Sequence, residues 1–243
     1  MSCSRTILLL GGTGDALKIA RVLSIKDIYS LSGLGRVPDD LMCTIRTGGF
    51  GGAVKLASYL RDKNISLVID ATHPYAKQIS ENAIASANDV GILCWSLRRK
   101  LWLPNVDDNW HFVDNWSGID EMIRSFYRPL FTLGREPLMH LNKIPPHQFW
   151  TIRCLYPHPG NALSRIIAER GPFTIEAERS LIKRAGIDII ISKNSGGTAT
   201  KAKIDVAREL GLPVVMLRRP SLPDSDLIFY SVDELLSSLY QYK

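Results

Sequence analysis

The chain has 243 residues, of which 45% are hydrophobic and 22% charged. That balance excludes a disordered chain, a collagen-like fibre and a polytopic membrane protein, and folding buries about 70% of the chain's surface without help from disulfides or metal. Thirty Lys and Arg residues stand against 24 Asp and Glu, a net charge of +6. Residues 1–123 are neutral, with 13 of each sign; residues 124–243 carry 17 basic and 11 acidic side chains. The whole excess therefore lies in the second half, which suits either solubility or an anionic partner. Nucleic acid is disfavoured as that anion, because no long Lys/Arg run, helix-turn-helix, zinc or aromatic RNA-binding motif is present.

The elements follow in order. Thr6 to Leu10 is an apolar strand that meets GGTGDA, and Ala16 to Leu23 is an amphipathic helix. Ile28 to Leu31 is a second strand, and a third precedes GGFGG at 48–52. A helix over Ala53 to Lys63 leads to a strand opening SLVIDAT (66–72). Pro74 is the first residue of the next helix, which continues over Ile79 to Val90. GILCW (91–95) and WHFV (110–113) are two more strands. In the second half, strands are predicted in 129–134, 149–154, 188–192, 212–217 and 227–230. Helices are predicted over Ala162 to Glu169, Glu176 to Ala185 and Thr200 to Leu210, with Gly211 as a helix stop. Strand then helix, repeated at this spacing, indicates right-handed βαβ units and mostly parallel sheets.

The halves resemble each other. ISLVIDATHPYA and IDIIISKNSGG are each a strand with a polar exit loop. VGILCWSLRRKLWLPN and LGLPVVMLRRPSLPD are each a strand, then LRR, then proline. Each half closes with a strand and an amphipathic helix, WHFVDNWSGIDEMI and LIFYSVDELLSSLY. The fold class is α/β, with two Rossmann-like domains and an interdomain cleft. The expected domains are a dinucleotide-binding one over 1–126 and a basic, substrate-binding one over 127–243. The four cysteines lie far apart without a C-x-x-C pair, and the first apolar run is too short for a leader or a membrane span. A cytoplasmic protein without a membrane partner is the expectation.

Loops after the strands carry the candidate chemistry. Gly11, Gly12, Thr13 and Gly14 let an anion approach bare backbone at a helix start, although the spacing is not G-x-G-x-x-G. The alternative is a tight turn without a ligand. Asp15 fits a helix cap or a cofactor contact. The second strand exits through SLSGLGR, which lacks the acid of an NAD site. It offers Ser30, Ser32 and Arg36, suited to a 2′-phosphate and hence to NADPH. Gly49, Phe50 and Gly51 leave open backbone and a stacking face, or form a flexible connector. In DATHPYA, Thr72 is a ligand contact and His73 and Tyr75 are candidate proton donors, with a structural helix-start role for His73 as the alternative. Lys193, Asn194, Ser195, Gly196, Gly197 and Lys201 form a donor-rich loop for an anion; a P-loop and a G-x-S-x-G elbow are both missing. Arg135 and Arg170 add charge from neighbouring loops. No residues have zinc spacing, so no metal site is expected.

Together GGTGDA, SLSGLGR, GGFGG, DATHPYA, TLGRE, RGPF, KNSGG and AKIDVARELGLPVVMLRRP resemble the precorrin-6A reductase family of cobalamin biosynthesis, from about Thr6 to Pro220. Asp15 stands where glutamate is more usual. The resemblance implies a monomer or weak homo-oligomer that uses NADPH to reduce the C18=C19 bond of the precorrin-6A macrocycle, giving precorrin-6B. Family members of the anaerobic pathway act on the cobalt-containing macrocycle, sometimes with NADH. A polycarboxylate tetrapyrrole would explain the basic second half. A non-catalytic binding protein that carries a tetrapyrrole or senses a dinucleotide is the alternative from another class.

Overall fold

The computed structural model describes residues 5–33 and 39–242. They form two units, one of residues 1–100 with 220–243 and the other of residues 101–219.

The first unit holds β1 (Thr6–Leu10), β2 (Ile28–Leu31), β3 (Thr44–Thr47), β4 (Ile65–Asp70), β5 (Leu93–Leu97) and, from the end of the chain, β12 (Leu227–Phe229). They lie in the order β12-β5-β4-β1-β2-β3, every pairing parallel. Side chains alternate across a strand, so one apolar run feeds two cores. Ile7 and Leu9 join the helices α1 (Gly14–Ala20) and α7 (Val232–Tyr242) on one face. Leu8 and Leu10 join α2 (Ala53–Asp62) and α3 (Lys77–Val90) on the other.

The second unit repeats this plan with β6 (Trp110–Val113), β7 (Pro129–Thr132), β8 (Trp150–Cys154), β9 (Ser164–Ala168), β10 (Ile189–Lys193) and β11 (Val214–Leu217). Their order is β6-β11-β10-β7-β8-β9, again all parallel. Leu130, Ile190, Val214 and Met216 pack with Ile182 of α5 (Ile175–Ala185) and Ile204 of α6 (Ala202–Glu209). Elsewhere in the unit Phe131 and Trp150 meet Trp116 of α4 (Trp116–Ile123), whose ring stacks on His140 at 3.7 Å.

Three expectations change. The boundary near residue 126 is displaced, because each closing strand and helix joins the sheet built by the other half. β6 pairs with β11, and β12 pairs with β5. The charge division moves with it: residues 101–219 hold 16 basic and 12 acidic side chains, a net of +4, leaving +2 for the other unit. Residues 164–168 form strand β9 rather than a helix, since Ile166 and Ile167 complete the sheet edge against β8. Finally, α3 starts at Lys77 rather than Pro74. Residues 73–76 make a separate turn, in which the Ala76 amide donates to the His73 carbonyl at 2.8 Å.

These boundaries predict different behaviour for two fragments. Residues 101–219 expressed alone fold cooperatively, because sheet and core are complete within them. Residues 127–243 lack β6 and carry an unpaired β12, and are expected to lose the sigmoidal thermal unfolding that circular dichroism reports for the first fragment.

Candidate active site

In both sheets the strand order reverses at one place, between β1 and β4 in the first unit and between β7 and β10 in the second. Loops leaving the carboxyl ends of strands diverge there and open a crevice, where ligands of doubly wound sheets sit. The reversal brings GGTGDA beside DATHPYA, and TLGREP beside KNSGG.

In the first unit, Thr13 joins the two loops. Its hydroxyl donates to the Ala71 carbonyl at 2.9 Å and accepts from the Ala16 amide at 3.1 Å, capping α1. Gly11 is obligatory, because a Cβ there would lie 2.1 Å from the Tyr29 ring. Gly12 has φ +103°, and its amide donates to the Tyr29 hydroxyl at 3.3 Å. Burial pushes the Tyr29 hydroxyl pKa up, with the Gly12 contact opposing it. A Cβ at Gly12 or Gly14 would meet nothing within 4 Å, so the turn presents bare backbone to open space.

Asp70 at the end of β4 fixes the second loop. It is fully buried; one oxygen accepts from the Thr72 amide (3.1 Å) and hydroxyl (2.6 Å), the other from Arg98 at 2.9 Å. Thr72 is thus tied to the strand end. The Tyr75 amide donates to His73 Nδ1 at 3.3 Å, which makes Nδ1 an acceptor and places the ring proton on Nε2. The His73 and Tyr75 rings lie 5.6 Å apart, both half-buried. Asp15 meets Arg99 at 2.6 Å and Lys18 at 3.5 Å, so its carboxylate is neutralised by the chain itself. Ser32 is exposed at the exit of β2, and Arg36 lies outside the described residues. Phe50 is not an open stacking face: the Arg46 guanidinium lies over its ring at 3.7 Å, and Arg46 bonds the Gly48 and Gly49 carbonyls. Gly51 has φ +80°.

In the second unit, Lys193 spans the reversal. Its ammonium donates to the Leu133 carbonyl at 3.0 Å and lies 3.6 Å from Glu136, so it ties KNSGG to TLGREP. Asn194 is 3% exposed. Its side chain accepts from the Trp102 amide (2.8 Å) and donates to the Trp102 carbonyl (2.9 Å). It therefore supports the loop instead of offering its amide to a substrate. Ser195 and Gly197 are half-exposed, and Gly196 has φ +69°. Lys201 pairs with Asp205. The Phe173 amide donates to the Ala199 carbonyl at 3.0 Å, which docks RGPF, with exposed Arg170, against the turn after KNSGG. Arg135 is exposed beside Gly134.

The sequence reading missed the supports. Arg98 is the first arginine of the LRR after β5 and Arg219 the second of the LRR after β11, and each reaches the end of the neighbouring strand: Arg98 to Asp70, and Arg219 Nε to the Asn194 carbonyl at 2.7 Å. The repeated LRR was the available signal. Deeper in the second unit, Arg153 forms a two-pronged ion pair with Glu178, both buried. Buried Lys203 donates to the Thr200 carbonyl at 2.6 Å, with the Trp102 ring 5.2 Å away. Burial lowers the Lys203 pKa to about 8, Glu178 opposing and Arg153 adding to the shift. Burial also pushes the Cys94 thiol to about 12, with Asp70 adding to it, so it is inert as a nucleophile. Among the described residues no cluster of three or more His, Cys, Asp or Glu could hold a metal, and no helix is long and apolar enough to cross a membrane.

The model of the family described as precorrin-6x reductase CbiJ/CobK matches residues 6–240. The chain belongs to that family. A solved structure titled CobK precorrin-6A reductase superposes with a TM-score of 0.87 at 30% identity, covering 98% of this chain and 97% of that one. The precorrin-6A reductase of Rhodococcus erythropolis is 38% identical over 225 residues, 89% of this chain and 90% of the relative. The cobalt-precorrin-6A reductase of Priestia megaterium is 26% identical over 253 residues, 96% of this chain and 97% of the relative. The family member described here is an oxidoreductase acting on a CH–CH group in cobalamin biosynthesis.

Two outcomes follow for the supports. Arg98→Met leaves Asp70 buried without a counter-ion, and is expected to cost about 3–5 kcal/mol in urea unfolding. For Lys203, the folded protein binds fewer protons than the unfolded chain between pH 8 and the ordinary lysine range. The cost of burying its charge is thus fully present below pH 8 and is relieved as pH rises through that window. Lys203→Met is expected to remove this rise from the pH profile of unfolding free energy.

Proposed function

We propose that the protein reduces the C18=C19 double bond of metal-free precorrin-6A to give precorrin-6B, with NADPH as donor. The observation that supports this most is the open glycine turn at the strand-order reversal of the first unit, in a chain of this family. The Gly11–Thr13 turn suits a pyrophosphate, because Cβ atoms at Gly12 and Gly14 would stand in open space. Ser32, with Arg36, suits the 2′-phosphate, and Thr72 the edge of the same crevice. When bound, the dinucleotide supplies a hydride to one carbon of the double bond.

The other carbon takes a proton. His73 and Tyr75 lie side by side there, and this pair is assigned the donor role, with His73 acting in its protonated imidazolium form so that giving up the proton leaves a neutral ring. The second unit is assigned the macrocycle, whose carboxylates suit Arg135, Arg170, Lys193 and Lys201, together with the Ser195–Gly197 backbone. Lys193 also keeps the two loops together, so its contribution is partly positional. The protein's main contribution is alignment of donor and acceptor. The metal-free substrate is favoured over the cobalt form by the higher identity to the precorrin-6A enzyme, 38% against 26%.

Turnover tests the reading. NADPH is supplied with precorrin-6A and, in parallel, with cobalt-precorrin-6A, while nicotinamide oxidation and the macrocycle spectrum are followed. Coupled change with the metal-free substrate is expected. Coupled change only with the cobalt form reassigns the substrate, and binding without oxidation in either vessel supports a carrier. His73→Asn is expected to lower kcat by about 10²–10⁴-fold; an unchanged kcat would assign the proton to solvent.

A further inference from the structure

Arg46 is the arginine that the structure places at the carboxyl end of the second and third strands. It pairs in register with Ser30 across β2 and β3. Its side chain is pinned there: Nη1 donates to the Gly48 carbonyl at 2.5 Å and to the Ser30 hydroxyl at 3.4 Å, and Nη2 donates to the Gly49 carbonyl at 3.0 Å. The guanidinium lies over Phe50, with the Tyr59 ring 5.2 Å away.

Its electrostatic situation differs from that of its peers. Arg98, Arg99, Arg153 and Arg208 are all at least partly buried, and each meets a carboxylate within 4 Å. Arg46 is half-buried and meets no carboxylate among the described residues. A guanidinium has five N–H donors, and three are engaged by Ser30, Gly48 and Gly49. Two donors and a full, uncompensated charge remain, held rigidly at a strand end. Pre-ordering of this kind lowers the entropy lost on binding and suits a planar fork meeting a phosphate or carboxylate. In a sheet of this strand order, the ribose nearest the adenine of a dinucleotide lies at the end of the second strand.

We propose that Arg46 is a specificity-determining residue that binds the 2′-phosphate of NADPH, with Ser30 orienting the guanidinium and Phe50 supporting it. This rests on the reading that the first unit binds NADPH. The first two glycines of GGFGG serve it as well: the Gly48 and Gly49 carbonyls hold the fork in place.

The fragments 2′,5′-ADP and 5′-AMP separate this inference from the reading beneath it, because they differ in the phosphate alone and carry no nicotinamide. Calorimetry of the unmodified protein is expected to show tighter binding of 2′,5′-ADP. Absence of any preference would overturn both the NADPH reading and the role of Arg46. Arg46→Met is expected to weaken 2′,5′-ADP by about 10–100-fold, the scale of a charge-assisted contact, and 5′-AMP less than about twofold. Arg46→Lys is expected to recover part of the loss. Equal weakening of both fragments would make Arg46 only a clamp on the Gly48–Gly49 turn. Unchanged 2′,5′-ADP binding in a protein that prefers it would assign the phosphate elsewhere. Melting of Arg46→Met and Arg46→Lys checks that each binds as a folded protein, and the Lys variant carries the test if the Met variant does not fold.

Discussion

A wholly parallel sheet delivers the carbonyl end of every strand to one edge, and this constraint organises each unit. Chemistry can then gather only where the strand order turns back on itself, because elsewhere neighbouring loops cover one another. Both sheets have six parallel strands and one reversal. Each reversal lies between the two central strands of its sheet: β1 and β4 in one unit, β7 and β10 in the other. The loops there are polar, yet they leave strands that are mostly apolar and buried. Their backbone groups therefore need partners supplied from nearby.

Those partners come in a repeated pattern. In the first unit, a buried carboxylate at the end of β4 takes two donors from its own loop and a third from the arginine after β5. In the second, the arginine after β11 reaches the backbone beyond β10, and Lys193 reaches across to the loop after β7. The chemical means differ, an ion pair in one unit and carbonyl acceptors in the other. The mechanical result is the same: a loop at the reversal is fixed by a cation rooted in adjacent structure. Such a loop need not reorganise as charge moves through it, which is how preorganised polar sites act.

Most strands were legible because buried parallel strands are nearly continuous apolar runs, and Ile7–Leu10 and Ile189–Ile191 have no competing interpretation. Residues 164–168 were not, since Leu163, Ile166 and Ile167 fall at helical spacing and an edge strand needs only one buried face. The domain boundary was hidden for a related reason: a closing strand and helix look the same whichever sheet they join. Glycine loops and polar strand exits drew attention to GGTGDA, DATHPYA and KNSGG correctly as loops at the reversals. The residues that hold them were less visible. Arg46 sits within TIRT, Lys203 within an ordinary amphipathic helix, and Asn194 within a loop whose other donors mask its inward role. Asn194 and Lys203 meet Trp102 from the other end of the unit, and Arg46 meets Ser30 across two strands; no local pattern encodes those contacts.

The exchange of closing strands also sets an order of events during synthesis. Residues 101–219 form one continuous stretch, so the second unit has its whole sheet as soon as Leu217 is clear of the ribosome. The first unit, although begun earlier, must wait. Until Leu227–Phe229 arrive, β5 has an open edge, and α7 is missing from the core that Trp95 and Leu97 share with Phe229, Leu235 and Leu239. Translation thus runs against the usual N-terminal-first sequence of domain completion. The nascent N-terminal unit has a bare parallel edge during the interval, and this is the stage at which chaperone contact or premature termination would matter most to the yield of folded protein.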